Sequence, residues 1–578
     1  MPFPLLSYAD ASSRGEKIAR AVRSRRMPPW LPEAGGVAFV GERRLSPEQI
    51  DTIDRWVRTG AVEGRAEDRP TPPSFPTDWQ LGSPDLVLQL PRPYTHRPGH
   101  HDVFRNIVLR LPAGGARLVR AVEFRPGQAP IHHAIIRIDR TGESRRRDGM
   151  DGEPGFDGMA ALNVQNPEGH FIGWAPGRGP IAAPDGMPWP IDAGSDLVVE
   201  LHLLHVKAAV AVQPTIGLYL TDRPPSSSPL MVVMGTKAID IPAGERNYTI
   251  EDSYQLPVDV TLLSVYPHAH YLGKEMRVDA TRPEGTTMSL LHIKRWDFHW
   301  QQDYRYAAPV SLPRGTRIIM RYTYDNSENN DANPSQPPRA VTWGPQSSDE
   351  MGNLGLQLLT RSDADRALLS RQFAAREALD NVRGAEIRVR HAPDDPAERT
   401  WLGSSYLEAG RIADAIAQLE IAVRQRPDAA QARNFLGGAL LAAGRTADAV
   451  AQLQAAVRLA PRDAHLQFNL GKTLAAAGRP QDAADRLERS IALDPSLPDA
   501  HQELGALFFA HGRLGEALPH LQRAVDLRPD SPSAQSDLGG ALAEAGRVEE
   551  ARRHLQRALE LDPSHAAARE NLARLPKR

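Results

Sequence analysis

The sequence predicts a multidomain chain: a short helical N-terminal segment, then two tandem antiparallel β-sandwiches of jelly-roll type, then an all-α solenoid. Three observations predict it. Pro427, Pro461, Pro495, Pro529 and Pro563 recur every 34 residues in an Ala- and Leu-rich final third. Between about 78 and 355, short β-branched runs are broken by Gly, Pro, Asn and Asp, the punctuation of antiparallel strands. Near the start, Ser46-Pro47-Glu48-Gln49 has the form of a capped helix opening, with the N-cap serine, a proline at the first position and a capping-box glutamine.

That opening continues into Ile50, Ile53, Trp56 and Val57 on one face and ends at Gly60, so residues 1–66 are expected to be helical. Arg69 to Pro76 is rich in proline and marks a linker at 67–77. Eight runs then read as strands: Leu86–Leu90, Phe104–Leu111, Leu118–Phe124, Ala134–Ile138, Leu197–Val206, Ile216–Leu220, Leu262–Tyr266 and Arg317–Tyr324. No long helix interrupts them, which favours sandwiches. The segment is long for one sandwich, and Pro224-Pro225 through Pro229 divides it into 78–224 and 225–355. A helical connector is expected at 356–395, followed by the repeat region 396–578.

In that region Leu-Gly recurs at 402, 436, 470, 504 and 538, and Gly-Arg at 410, 444, 478, 512 and 546. This period and spacing resembles tetratricopeptide repeats: five copies over 396–563 and a terminal helix at 565–574. A solenoid of this kind implies a protein partner on its concave face.

Composition excludes several function classes. The 578 residues carry a formal net charge of -2 and no long like-charged block, so nothing favours nucleic acid. Cysteine is absent, which rules out disulfides, thiolate metal sites, cysteine nucleophiles and covalent haem. No apolar run spans a membrane, and the start at Met1 lacks the basic and apolar regions of a signal peptide.

Any transition metal must therefore sit on His, Met or carboxylate. His268-Ala269-His270 would send two imidazoles to one side of a strand, since side chains alternate with period two. His132-His133 and His202 lie on other expected strands, as a closed site requires. Adjacent His132 and His133 point to opposite faces of a regular strand, so an irregular strand is expected at Pro130–Ala134. Three imidazoles could hold zinc, while a thioether such as that of Met351 would favour copper. Spacing alone leaves Met351 a packing residue.

Ile131–Ala134, Val198–His202, Pro267–Lys274 and Ser347–Leu354 resemble, in order, the four ligand segments of the copper type II, ascorbate-dependent monooxygenases, the peptidylglycine α-hydroxylating and dopamine β-monooxygenase group. The resemblance covers about 78–355. It implies two coppers per chain, one on His132, His133 and His202 for electron transfer, the other on His268, His270 and Met351 for O2. The implied reaction is hydroxylation of an aliphatic C–H bond in a small-molecule or peptide substrate, with ascorbate or a cytochrome as reductant. The family also implies a location outside the cytoplasm. Tyr266 replaces the arginine with which amidating members bind a substrate carboxylate, and Gly355 replaces a tyrosine, while Asn353 is kept; a peptide C-terminal glycine is thus not the expected substrate.

Other candidates have bland readings. Met27 before Pro28-Pro29-Trp30 resembles the methionine ligand of a c-type cytochrome domain, but without C-x-x-C-H it is read as a packing residue in a haemless remnant. His205 faces away from His202, and His96, His100 and His101 belong to a loop. Trp296, Phe298 and Trp300 are expected on one side of a strand as packing residues, and His292 and His299 receive no role. A non-catalytic repeat scaffold with a relic metal module is the competing reading; a zinc hydrolase lacks a nearby carboxylate base.

Overall fold

The computed structural model describes residues 5, 7–68, 78–99, 102–112, 116–127, 130–158, 164–184, 186–192 and 194–576. The proline-rich connector, His100 and His101 lie outside these residues. The chain divides into two compact units, Met1–Ala374 and Ala375–Arg578.

The first unit begins with helices Tyr8–Ser12, Gly15–Arg23 and Pro47–Arg58. The capping box is formed: Gln49 N–H donates to Ser46 Oγ at 3.2 Å, and Ser46 N–H to Gln49 Oε1 at 2.8 Å. Met27 is half-buried just beyond the second helix, its N–H on the Ala21 carbonyl. The intervening chain then docks on the sheets. Pro32 bridges Ile293 and Phe39 bridges Tyr306, with the Phe39 and Tyr306 rings stacked at 5.2 Å.

Two antiparallel sheets follow around one core. In the first, Leu86–Gln89, Thr215–Thr221, Arg117–Arg125 and Trp189–Ile191 lie side by side. In the second, Asp196–Leu203 sits between Val103–Arg110 and Ile131–Asp139. Leu197, Val199, Leu201 and Leu203 enter the shared core with Val119, Val122, Ile216 and Leu218. The alternate face of that strand carries Val198, Glu200 and His202.

Two further four-stranded sheets enclose a second core. One orders Leu230–Gly235, Asn353–Thr360, Val260–His268 and Tyr304–Leu312; the other orders Tyr248–Gln255, Arg317–Tyr324, Gly273–Thr281 and Thr287–Ile293. Met276, Val278, Met320 and Tyr322 meet Leu262, Val265, Leu354 and Leu356 there.

Two expectations are corrected. The boundary at 355 falls inside strand Asn353–Thr360, and the helix starts only at Asp363. Leu354, Leu356 and Leu358 keep the strand period of two and are fully buried between two neighbours. Trp296, Phe298 and Trp300 are on no strand. Asp297 turns the chain, its carbonyl accepting from Trp300 N–H and its carboxylate from His299 N–H, both at 2.9 Å. Local Asp chemistry thus overrides the aromatic alternation.

The second unit is helical. From Pro396–Glu408 with Ile412–Gln425 to Pro532–Glu544 with Val548–Leu561, five helix pairs repeat, and Ala566–Arg574 closes the row. The long helix Asp363–His391 contains the division, and its Val382 and Ala385 join the first repeat's core. Each pair closes over the glycine of Leu-Gly: a Cβ there would lie 2.4–2.8 Å from the Cγ of a leucine sixteen residues on, as at Gly437 and Leu453. Each Gly-Arg glycine has φ of 71–76°, the left-handed helix end that glycine adopts without strain.

Gly437→Ala sets two effects against each other. Helix propensity gains about 1 kcal/mol, whereas a methyl at 2.6 Å from Leu453 Cγ overpacks the pair at a cost of about 1–3 kcal/mol. Urea unfolding should show net destabilisation. Adding Leu453→Ala should cost less in this background than in wild type, because the added methyl occupies part of the vacated space.

Candidate metal centre

The site begins with a break in alternation. Ile131, Ala134, Ile136 and Ile138 all face the core, which leaves two residues, His132 and His133, between successive inward positions. Register shows how: His202 pairs with His133, but Leu203 pairs with Ile131. One extra residue is accommodated, and the strand is irregular where expected. Both imidazoles therefore emerge on the outer face, beside His202.

His132 Nδ1 lies 3.1 Å from His133 Nδ1 and 3.2 Å from His202 Nδ1. One nitrogen from each of the three falls within 4.8 Å of the others, a grouping fit to hold a metal ion. His132 and His202 are buried, and His202 stacks on Phe104 at 4.5 Å. On its outer side His202 Nε2 meets Asp102 Oδ2 at 2.9 Å. Against burial, which would raise it, this contact and the backbone N–H of His205 hold the Asp102 carboxyl below its ordinary value.

The second set stands at the end of Val260–His268. Val265 and Ala269 enter the core, so Tyr266, His268 and His270 share the opposite face. The His268 and His270 rings are 5.3 Å apart. His268 pairs in register with Asn353, and continuing that register by two residues sets Met351 opposite His270. Glu350 secures this pairing, since its carboxylate accepts from the backbone N–H groups of His270, Leu272 and Met351. Burial pushes the Glu350 carboxyl up to about 8 against those three donors. Tyr324 Oη donates to the Met351 carbonyl at 2.9 Å.

Burial dominates the histidine electrostatics. It lowers His132 to about 3, assisted by His202 and His299, and His270 to about 3, assisted by His268. His133 is held well below its ordinary value by burial and by His202, His132, His268 and His270; His268 is lowered by burial. At neutral pH these rings are uncharged and keep a lone pair, the form a metal requires.

Phe298 stands between the sets. Its ring stacks on His132 at 5.0 Å and meets His270 edge-on at 5.8 Å. His299 Nδ1 is 3.1 Å from His132 Nε2, and Gln301 Oε1 is 2.5 Å from His268 Nδ1. Sequence reasoning gave Phe298 a packing role and His299 none, and it did not single out Asp102 or Gln301. The available signal was the density of polar and aromatic residues in Trp296–Asp303. His205 is exposed and His292 pairs with Glu275 at 2.8 Å. His96, expected in a loop, is instead buried on strand Tyr94–His96, paired with Val210, and bonds the Leu204 carbonyl at 2.9 Å; none of the three joins either set.

Comparison with known proteins identifies the helical region. One tetratricopeptide repeat family model matches residues 402–464 and 468–532, and a second matches 508–575. The C-terminal region consists of tetratricopeptide repeats. No curated protein matches the chain. Among solved structures, YrrB, described as a TPR protein with an unusual peptide-binding site, is 20% identical over 32% of this chain and 96% of its own, with a TM-score of 0.27. MamA gives 24% identity over 30% and 93%, with a TM-score of 0.26. A thermophilic TPR protein of Thermus thermophilus gives 23% over 31% and 97%, with a TM-score of 0.28.

The lowered histidines fix a pH dependence of stability. Unfolded histidine takes up its proton near 6.5, but His132 and His270 do so near 3 in the fold. Between those values the unfolded state holds more protons, so stability is lost as pH falls, by up to about 1.4 kcal/mol per pH unit per group. Urea unfolding in the presence of a chelator should show this decline from pH 6.5 downward. His132→Asn should make it shallower.

Proposed function

We propose that the strand-rich region is a two-copper monooxygenase that hydroxylates an aliphatic C–H bond with O2 and an external reductant, ascorbate or a cytochrome. In this reading 78–224 and the strands after 225 are its two jelly-roll-like sandwiches. The tetratricopeptide repeats recruit a protein partner. The observation that carries the enzymatic reading is the trio His132, His133 and His202, buried or partly so, uncharged where burial lowers them, and converging through Nδ1.

The donor set fits copper. Three imidazoles suit copper or zinc, and a thioether beside two imidazoles favours reduced copper over zinc. His132, His133 and His202 would hold one ion, and His268, His270 and Met351 the other. Bound copper would supply one-electron redox chemistry and O2 activation. The chain's own part is placement and exclusion of water. Glu350 keeps His270 and Met351 side by side through backbone N–H groups. Phe298, 5% exposed, keeps the space between the sets apolar.

The substrate reading follows from Tyr266. It stacks on Phe171 at 4.1 Å, lies parallel to His268 at 6.3 Å and pairs in the ladder with Gly355. Burial raises its phenol above the ordinary value, so Tyr266 itself is uncharged at neutral pH and offers no positive charge to a substrate carboxylate. An uncharged substrate suits a tyrosine at this position better than a carboxylate. The competing reading, a scaffold whose metal module is a relic, is favoured by the repeats themselves.

Metal content after copper loading separates the two. Wild type should hold two coppers per chain, and His268→Ala should hold one. Met351→Ala should keep the His132 site and lose reductant-dependent O2 uptake. A wild type that holds no copper overturns the enzymatic reading and leaves the scaffold.

A further inference from the structure

We propose that the turn Trp296–Asp303 is an outer shell shared by both histidine sets, with His299 and Gln301 as positioning residues that decide which ring nitrogen His132 and His268 present. The inference rests on the copper reading above. It starts from how firmly the turn is held. Trp296 N–H donates to the Lys274 carbonyl at 2.9 Å and Trp296 Nε1–H to the His270 carbonyl at 3.1 Å. Asp297 closes the turn on His299 and Trp300, and Asp303 pairs with Arg178.

Gln301 has an unambiguous orientation. Its amide nitrogen donates to the Phe298 carbonyl at 3.0 Å, which leaves Oε1 facing His268 Nδ1. An amide oxygen only accepts, so His268 carries its proton on Nδ1 and keeps the Nε2 lone pair free. His270 has the same arrangement, with Nδ1 at 3.1 Å from the Asp349 carbonyl. The second set is thereby poised to bind through Nε2.

The first set is poised the other way. Three Nδ1 atoms face one another, and His132 Nδ1 stays free to ligate when the proton sits on Nε2. There His299 Nδ1 accepts it at 3.1 Å. Asp102 does the same for His202 Nε2. An outer partner of this kind fixes tautomer and ring rotation together. One turn, anchored on the second set's own backbone at His270, thus reaches a ring in each set.

The test uses the full chain loaded with copper. Affinity is read by competition with a chromophoric Cu(I) chelator, and geometry by the electron paramagnetic resonance of the Cu(II) form. His299→Leu should weaken one copper about 10–100-fold and change its spectrum, and Gln301→Leu should do the same to the other. His299→Gln and Gln301→Glu, which keep an accepting oxygen, should restore affinity and spectrum. Leucine variants that match wild type, or conservative variants that fall as far as the leucine ones, overturn the positioning role while two bound coppers leave the enzymatic reading standing. A wild type without copper overturns both.

Discussion

A one-residue slip between Ile131–Asp139 and Asp196–Leu203 is the constraint on which the histidine cluster depends. Without it His132 would follow Ala134, Ile136 and Ile138 into the core, and only His133 would stand beside His202. With it, two consecutive imidazoles leave the sheet on one face. The ladder then recovers its phase at Ile131, so the core loses no apolar position. The hydrogen-bonding interruption of a bulge is local, while the side chains it redirects form the whole of one set.

The second set solves the same geometric problem by other means. Regular alternation puts His268 and His270 on one side, and the methionine arrives from the neighbouring strand end. Three backbone N–H groups pointing at the Glu350 carboxylate hold that junction. Even with those donors burial keeps this carboxyl raised, so at neutral pH it is mostly the neutral acid. Burial therefore serves both sets: it keeps the imidazoles uncharged, and it makes each outer contact, Asp102, His299, Gln301 or Asp349, matter more than it would in water.

The repeat region follows a different logic. Its helices contact near neighbours in sequence, and each glycine of Leu-Gly exists because a leucine sixteen residues later occupies the place of its Cβ. Local periodicity and tertiary packing there are the same fact, which is why the repeats were countable from the sequence. In the sheets the partners are distant: His202 is 70 residues from His132, and His299 is 167.

What the sequence by itself determined is whatever has a local period or a local chemistry. The 34-residue repeat, the capping box at Ser46, the strand-rich region, and the requirement for an irregular strand at Pro130–Ala134 were all legible, because each is written in consecutive residues. The histidine candidates stood out by type and spacing, whereas Met351 was named only through a family resemblance. Tertiary structure alone decided that strand Asn353–Thr360 lies between two others, that Asp297 turns the aromatic run instead of extending it, and that His299, Gln301 and Asp102 stand behind His132, His268 and His202. Those contacts join residues 33 to 167 apart, and no pattern in a linear chain encodes which distant side chain will take up a ring's second nitrogen.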